Sequence, residues 1–191
     1  MRMLFLLLLI AICSCIPYSE VWRYSYVPRV AGDRSVSFYV DNQFTEEELI
    51  EIKEGIKEWD YVLNGNIEFR YGGRHNMEDW VLSEMTLGKA VLVNKVGPDC
   101  TFIPVTKGQV LAFASLRNIY VISGRVSVSS LRGVMLHEIG HVLGLGHFGD
   151  GLMKPEYDFN MHYCVPRDVT SEVAHIWGFR TESMNYCLRV K

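Results

Sequence analysis

One stretch of this chain has residue types and spacing that could do chemistry: His137-Glu138-Ile139-Gly140-His141-Val142-Leu143-Gly144-Leu145-Gly146-His147. His137 and His141 are four residues apart, so on an α-helix their rings lie on one face, one turn apart, and both imidazoles can reach a single ion. Glu138 points slightly off that face, where it can touch a water at the ion without binding the ion itself. Gly144 can leave the helix with a positive φ, which costs other residues energy, and so return the chain to bring in His147. Three neutral nitrogen ligands with one open position is the layout of a catalytic zinc, because structural zinc sites are usually closed by four protein ligands. Packed or solvated histidines on a helix would not explain why three of the six histidines fall within this segment.

The elements that must hold this segment are legible on either side of it. Ser35 to Val40 is short, β-branched and aromatic and reads as a strand. Thr45 and Glu48 have capping-box spacing, with Glu46 and Glu47 also in the first turn. Leu49, Ile52, Ile56, Trp59 and Leu63 then recur at helical spacing until Asn64-Gly65 stops the helix. Ile67 to Tyr71 alternates as a strand before a Gly72-Gly73 loop, and strand–helix–strand favours parallel pairing. In the next stretch, His75, Glu78 and Asp79 read as solvated loop residues rather than ligands. Ala90 to Val96, Val110 to Ser115 and Asn118 to Ser123 read as three more strands. The histidine-bearing helix begins after Ser129-Ser130, its cap candidates. An irregular segment follows His147, and a last helix runs from about Asp168 to Trp177, ended by Gly178.

Length and composition bound the function. The 191 residues make one domain with short extensions, and 49% hydrophobic and 21% charged residues with net charge −3 describe an ordinary globular protein. There is no basic patch for nucleic acid. Met1-Arg2-Met3 followed by nine apolar residues, Leu4 to Ile12, is too short to cross a bilayer, which takes about 20 residues, but suits a signal-peptide core. Residues 1–15 are therefore expected to be a signal segment that is not part of the fold. Ile12-Cys13-Ser14-Cys15 leaves two outcomes open, lipidation of Cys15 or ordinary cleavage nearby. Residues 16–34 read as an N-terminal arm, 35–180 as the catalytic domain and 181–191 as a tail. Beyond the leader lie Cys100, Cys164 and Cys187, an odd number; Cys164 and Cys187 could pair and pin the tail, or all three could stay reduced.

These residues resemble the metzincin zinc peptidases, and within them the matrixin catalytic domains, over about residues 33 to 180. The motif at 137–147 carries most of the resemblance. Gly151-Leu152-Met153-Lys154-Pro155-Glu156-Tyr157 resembles the matrixin Met-turn, and the order of elements is the third point of likeness. The resemblance implies an α+β fold: a twisted mixed sheet of about five strands with two long helices, then a small irregular C-terminal subdomain with one helix. It implies zinc on His137, His141 and His147, Glu138 as general base, and Met153 as an apolar floor. It also makes Pro155 and Tyr157 a pocket wall, and Val110, Leu111, Ala112, Phe113, Ala114 and Ser115 an edge strand for an extended peptide. Phe113 stands where matrixins carry a structural-zinc histidine, and residues 97 to 117 offer Asp99 as the only acidic or histidine ligand. The expectation is one catalytic zinc, no structural zinc, and calcium doubtful. Fewer than 20 residues separate the leader from the first strand, so no cysteine-switch propeptide is expected. The implied protein is a monomeric, extracytoplasmic endopeptidase acting on proteins or peptides, reaching a membrane only through lipid on Cys15. The alternative is a catalytically silent zinc-binding adhesion protein on the same fold.

Overall fold

The computed structural model describes residues 34–76, 88–98, 110–115, 117–156 and 164–187. Five strands form one sheet: β1 (Ser35–Asp41), β2 (Glu68–His75), β3 (Ala90–Val96), β4 (Ala112–Ser115) and β5 (Asn118–Ile122), in the spatial order β2-β1-β3-β5-β4. The pairings among β1, β2, β3 and β5 are parallel, whereas β4 runs antiparallel to β5 and is an edge. Among the described residues three α-helices accompany the sheet: α1 (Glu46–Leu63), α2 (Val128–Val142) and α3 (Arg167–Trp177). This is the α+β arrangement expected, a mixed sheet with two long helices and one later helix.

α1 starts where its capping box predicts. Thr45 Oγ1 accepts from Glu48 N–H at 3.2 Å, and Glu48 Oε2 accepts from Thr45 N–H at 2.7 Å. Its stripe of Leu49, Ile52, Ile56, Trp59, Val62 and Leu63 is fully buried in one core with Phe38, Val40, Ile119, Met135 and Ile139. Asn64 ends it in the left-handed conformation at φ 46°. The contact that matters most for function is between α1 and α2. A Cβ on Gly55 would lie 3.0 Å from Met135 Cβ, so the two backbones approach closely there. Trp59 donates its indole N–H to the Leu136 carbonyl at 3.0 Å, one residue before His137. A fully buried aromatic ring thus fixes the helix that carries the histidines.

Several boundaries differ from the sequence reading, each for a physical reason. Gly72 and Gly73 belong to β2 rather than to a loop. A Cβ on Gly72 would come within 2.7 Å of the Tyr39 ring, and the register slips by one residue between Phe38 and Tyr39, so these glycines accommodate a bulge inside the sheet. His75 is the last residue of that strand and is buried, with Nε2 3.4 Å from the Val93 carbonyl, not solvated in a loop. Glu78 and Asp79 lie outside the described residues. β4 begins at Ala112 rather than Val110, although Leu111 still accepts from Ile122 N–H. α2 begins at Val128 after Ser127, ahead of Ser129-Ser130, and Ser127 and Ser130 hydroxyls share a 2.8 Å hydrogen bond.

The end of the chain is fastened twice. Cys164 and Cys187 form a disulfide, and Cys187 N–H donates to the Val165 carbonyl at 3.0 Å. Upstream of it, Asn185 donates to the carbonyls of Val62 and Tyr61, satisfying the last turn of α1 that has no helical partner. Residues 181 to 187 thus pack against α1 as well as against the start of α3. No helix of the described residues is long and apolar enough to cross a membrane. Cys15 and Cys100 lie outside the described residues.

Candidate metal centre

α2 presents His137, Glu138 and His141 on its last two turns, and its C-terminus makes the turn that brings in His147. Gly144, at φ 94°, donates to the His141 carbonyl at 2.9 Å, and Leu145 donates back to the Gly140 carbonyl at 3.0 Å. That pair of bonds is a Schellman motif, for which a residue with positive φ is required, and glycine supplies it. Trp177, at the end of α3, closes the same helix end by donating its indole N–H to the Leu143 carbonyl at 2.9 Å.

The three imidazoles converge. One ligand nitrogen from each of His137, His141 and His147 lies within 4.8 Å of the others, and the Nε2 atoms of His137 and His141 are 3.0 Å apart. The hydrogen bonds behind the rings set their tautomers. His137 Nδ1 is 2.7 Å from the Leu152 carbonyl, and His141 Nδ1 is 2.8 Å from the Leu145 carbonyl. A carbonyl only accepts, so each Nδ1 carries the proton and each Nε2 turns a lone pair inward. Burial keeps the rings neutral: desolvation lowers His137 to about 4 and His141 to about 3, and lowers His147 as well. Two inward lone pairs at 3.0 Å repel each other unless a cation lies between them, so this donor set fits a borderline-soft divalent ion held by nitrogen.

Glu138 is buried, and burial pushes its carboxyl up to about 8. One oxygen is steadied by the backbone N–H of Ala114 on β4, while Oε2 has no hydrogen-bond partner. An unpartnered buried carboxyl oxygen beside a histidine cluster is placed to exchange a proton there, and a cation held by the histidines would favour its ionised form.

Met153 is fully buried beneath the motif, where its carbonyl accepts from Phe148 N–H at 3.0 Å. A Cβ on Gly140 would lie 2.6 Å from Met153 Sδ and 3.0 Å from its Cε. Sequence reasoning missed this role, although an isolated glycine inside a helical pattern signals a close approach. The Gly140→Ala variant should unfold at lower temperature than wild type. Overpacking costs about 1–3 kcal/mol and outweighs the ~1 kcal/mol that alanine contributes to a helix interior. A thermal melt in which the variant is the more stable would overturn this account.

The residues expected to bind substrate divide into two sets. Because Ile122 donates to Leu111, antiparallel alternation turns the main-chain groups of Leu111, Phe113 and Ser115 towards β5 and those of Ala112 and Ala114 outward. The Phe113 ring stacks on Tyr120 at 4.8 Å across the β4–β5 pair. Val110 precedes the strand, and its carbonyl accepts from Arg125. Pro155 follows Met153 on the turn that supplies the Leu152 carbonyl; Tyr157 lies outside the described residues.

A sequence model of the family described as Matrixin matches residues 26–178. The structure resembles that of an archaemetzincin from Methanopyrus kandleri, with TM-score 0.52 and 14% identity over 79% of this chain and 99% of that one. At this identity the likeness establishes a shared, metzincin-like fold alone. No curated protein matches the sequence. Zinc is the ion this family implies, and His137, His141 and His147 can hold it.

Proposed function

The chain belongs to the matrixin family, and on that premise we propose that it is a zinc-dependent endopeptidase cleaving unfolded or extended segments of other proteins. The observation that carries this reading is the convergence of three neutral imidazoles next to a buried, half-satisfied carboxyl. His137, His141 and His147 would hold the ion. Zinc, when bound, supplies a Lewis acid that polarises a carbonyl and acidifies water. Glu138 takes a proton from the attacking water and passes it to the leaving nitrogen, a role favoured by the high proton affinity that burial gives it. The Ala114 N–H steers that carboxyl, and the outward amide and carbonyl of Ala112 offer an extended peptide its main-chain partners. Pro155, with Tyr157, would wall the pocket for the side chain after the scissile bond.

Two features support an extracytoplasmic compartment. The charged and apolar leader within residues 1–15 and the Cys164–Cys187 disulfide both suit export, because such bonds persist where conditions are oxidising. The mature enzyme, with 16–34 as its arm, would then act as a monomer outside the cytoplasm, free or tethered by lipid on Cys15.

The test is cleavage of varied unstructured proteins by purified protein, with chelator, and with zinc restored. Chelation should abolish cleavage, zinc should return it, and the active protein should hold one zinc per chain. A zinc-loaded protein that cleaves none of the substrates would leave only a binding role.

A further inference from the structure

Beyond the zinc site, the junction at the end of β5 stands out. There the chain leaves the sheet after β3 and returns to begin β4, with residues 99–109 between outside the described set. Four hydrogen bonds gather both ends onto one short turn. Ser123 N–H donates to the Val96 carbonyl at 2.8 Å, and Ile122 N–H to the Leu111 carbonyl at 2.9 Å. Arg125, half-buried in that turn, donates Nη1 to the Val110 carbonyl at 3.1 Å and Nη2 to the Pro98 carbonyl at 3.4 Å. One guanidinium thus grips the departing and the returning strand together.

Arginine suits this task because its planar fork fixes two donors at a set separation, and a charged donor strengthens each bond to a neutral carbonyl. Lysine offers a single point of charge and could serve one carbonyl well, not both. The position matters because β4 is four residues long and has one sheet neighbour, β5. Its C-terminal end is held by the short hairpin into Asn118 and by the bond from Ala114 to Glu138. Among the described residues, its N-terminal end is held by the Leu111 carbonyl and by Arg125.

We propose that Arg125 is a positioning residue for substrate: by clasping Val110 to Pro98 it sets the line of the edge strand and the aim of the Ala112 amide and carbonyl that an extended peptide would bond. It acts through Val110 and touches neither the histidines nor Glu138. The inference rests on the peptidase reading, so its test includes a measurement independent of turnover.

Arg125→Ala and Arg125→Lys are compared with wild type on a long peptide that runs along the edge strand and on a short substrate spanning only the scissile bond. The alanine variant should raise KM for the long peptide about tenfold, the scale of one charge-assisted hydrogen bond. Its kcat, its zinc content and its KM for the short substrate should stay unchanged, and lysine should restore part of the loss. In parallel, hydrogen–deuterium exchange of the chelated proteins should show faster exchange over 110–115 in Arg125→Ala, with β1 to β3 unchanged. Equal KM and equal exchange would overturn the proposal. So would a general loss, in which both substrates, β1 to β3 exchange and melting temperature all suffer together, since that marks a global structural role. If wild type cleaves nothing, the peptidase reading fails, and the exchange data alone still decide whether Arg125 holds the edge strand.

Discussion

Glu138→Gln is expected to lose peptide hydrolysis by about a factor of 10²–10⁴, the range a general base contributes, while keeping one zinc per chain. Glutamine preserves the size of the side chain and can still accept from Ala114 N–H, so the change removes little more than the ability to carry a proton. The same substitution should make the metal-free protein more stable at neutral pH. The wild-type carboxyl has a folded pKa of about 8 against an ordinary 4.5. Below pH 4.5 it is protonated in both folded and unfolded chains and favours neither. As pH rises from 4.5 to about 8, the unfolded chain ionises and the folded one does not, so wild type loses stability across that window. At pH 7 the loss is on the order of 3 kcal/mol, which glutamine does not suffer. Melting of the chelated proteins from pH 4 to pH 8 should show the variant pulling ahead as pH rises. Full activity in the variant would remove Glu138 from the chemistry, and a pH-independent gap would reject the buried-carboxylate account.

The second large effect is expected from His141→Ala, the most buried of the three rings. Its Nδ1 is held by Leu145 and its Nε2 faces that of His137, so its loss removes an oriented donor rather than a loose one. Losing a hydrogen-bond partner behind a ligand commonly weakens metal binding ~10–100-fold, and losing the ligand should cost more. Zinc titration of the variant should show that loss, with cleavage lost alongside. Wild type should hold zinc down to about pH 5, because His137 and His141 take up protons only near 4 and 3. In the metal-free wild type these rings lower stability as pH falls from 6.5 towards those values, because the unfolded chain is protonated first. A variant that binds zinc as tightly as wild type would exclude His141 from the site.

The two effects show why some of the site could be read directly and some could not. His137, Glu138, His141, Gly144 and His147 lie within eleven consecutive residues. Their relative placement depends on helical pitch and one Schellman turn, both of which are local. The helix stripe of α1 and its capping box were readable for the same reason. By contrast, Gly72 and Gly73 looked like a turn because dipeptide chemistry carries no information about Tyr39, which lies on a neighbouring strand. His75 looked solvated because nothing nearby in sequence reveals that β2 pairs with β1 and that Val93 lies within reach of its ring. Ser127 is the N-cap position of α2, two residues ahead of the Ser129-Ser130 pair, which is a local ambiguity rather than a tertiary one.

By itself, then, the sequence determined which side chains are candidate metal donors, the carboxyl beside them, the order of strands and helices, and the pairing partners available to Cys164. What the tertiary structure decided is how those groups are tuned. The Leu152 and Leu145 carbonyls choose the imidazole tautomers, the core shifts His137 and Glu138 in opposite directions, and Ala114 on a distant strand steadies the carboxyl. Gly140 lets Met153 approach, and Trp59 and Trp177 clamp the helix near its middle and at its end. The division has one physical cause. A helix repeats every 3.6 residues and so carries its geometry in spacing, whereas desolvation and carbonyl contacts are made by groups far apart along the chain and exist only once the core has closed around them.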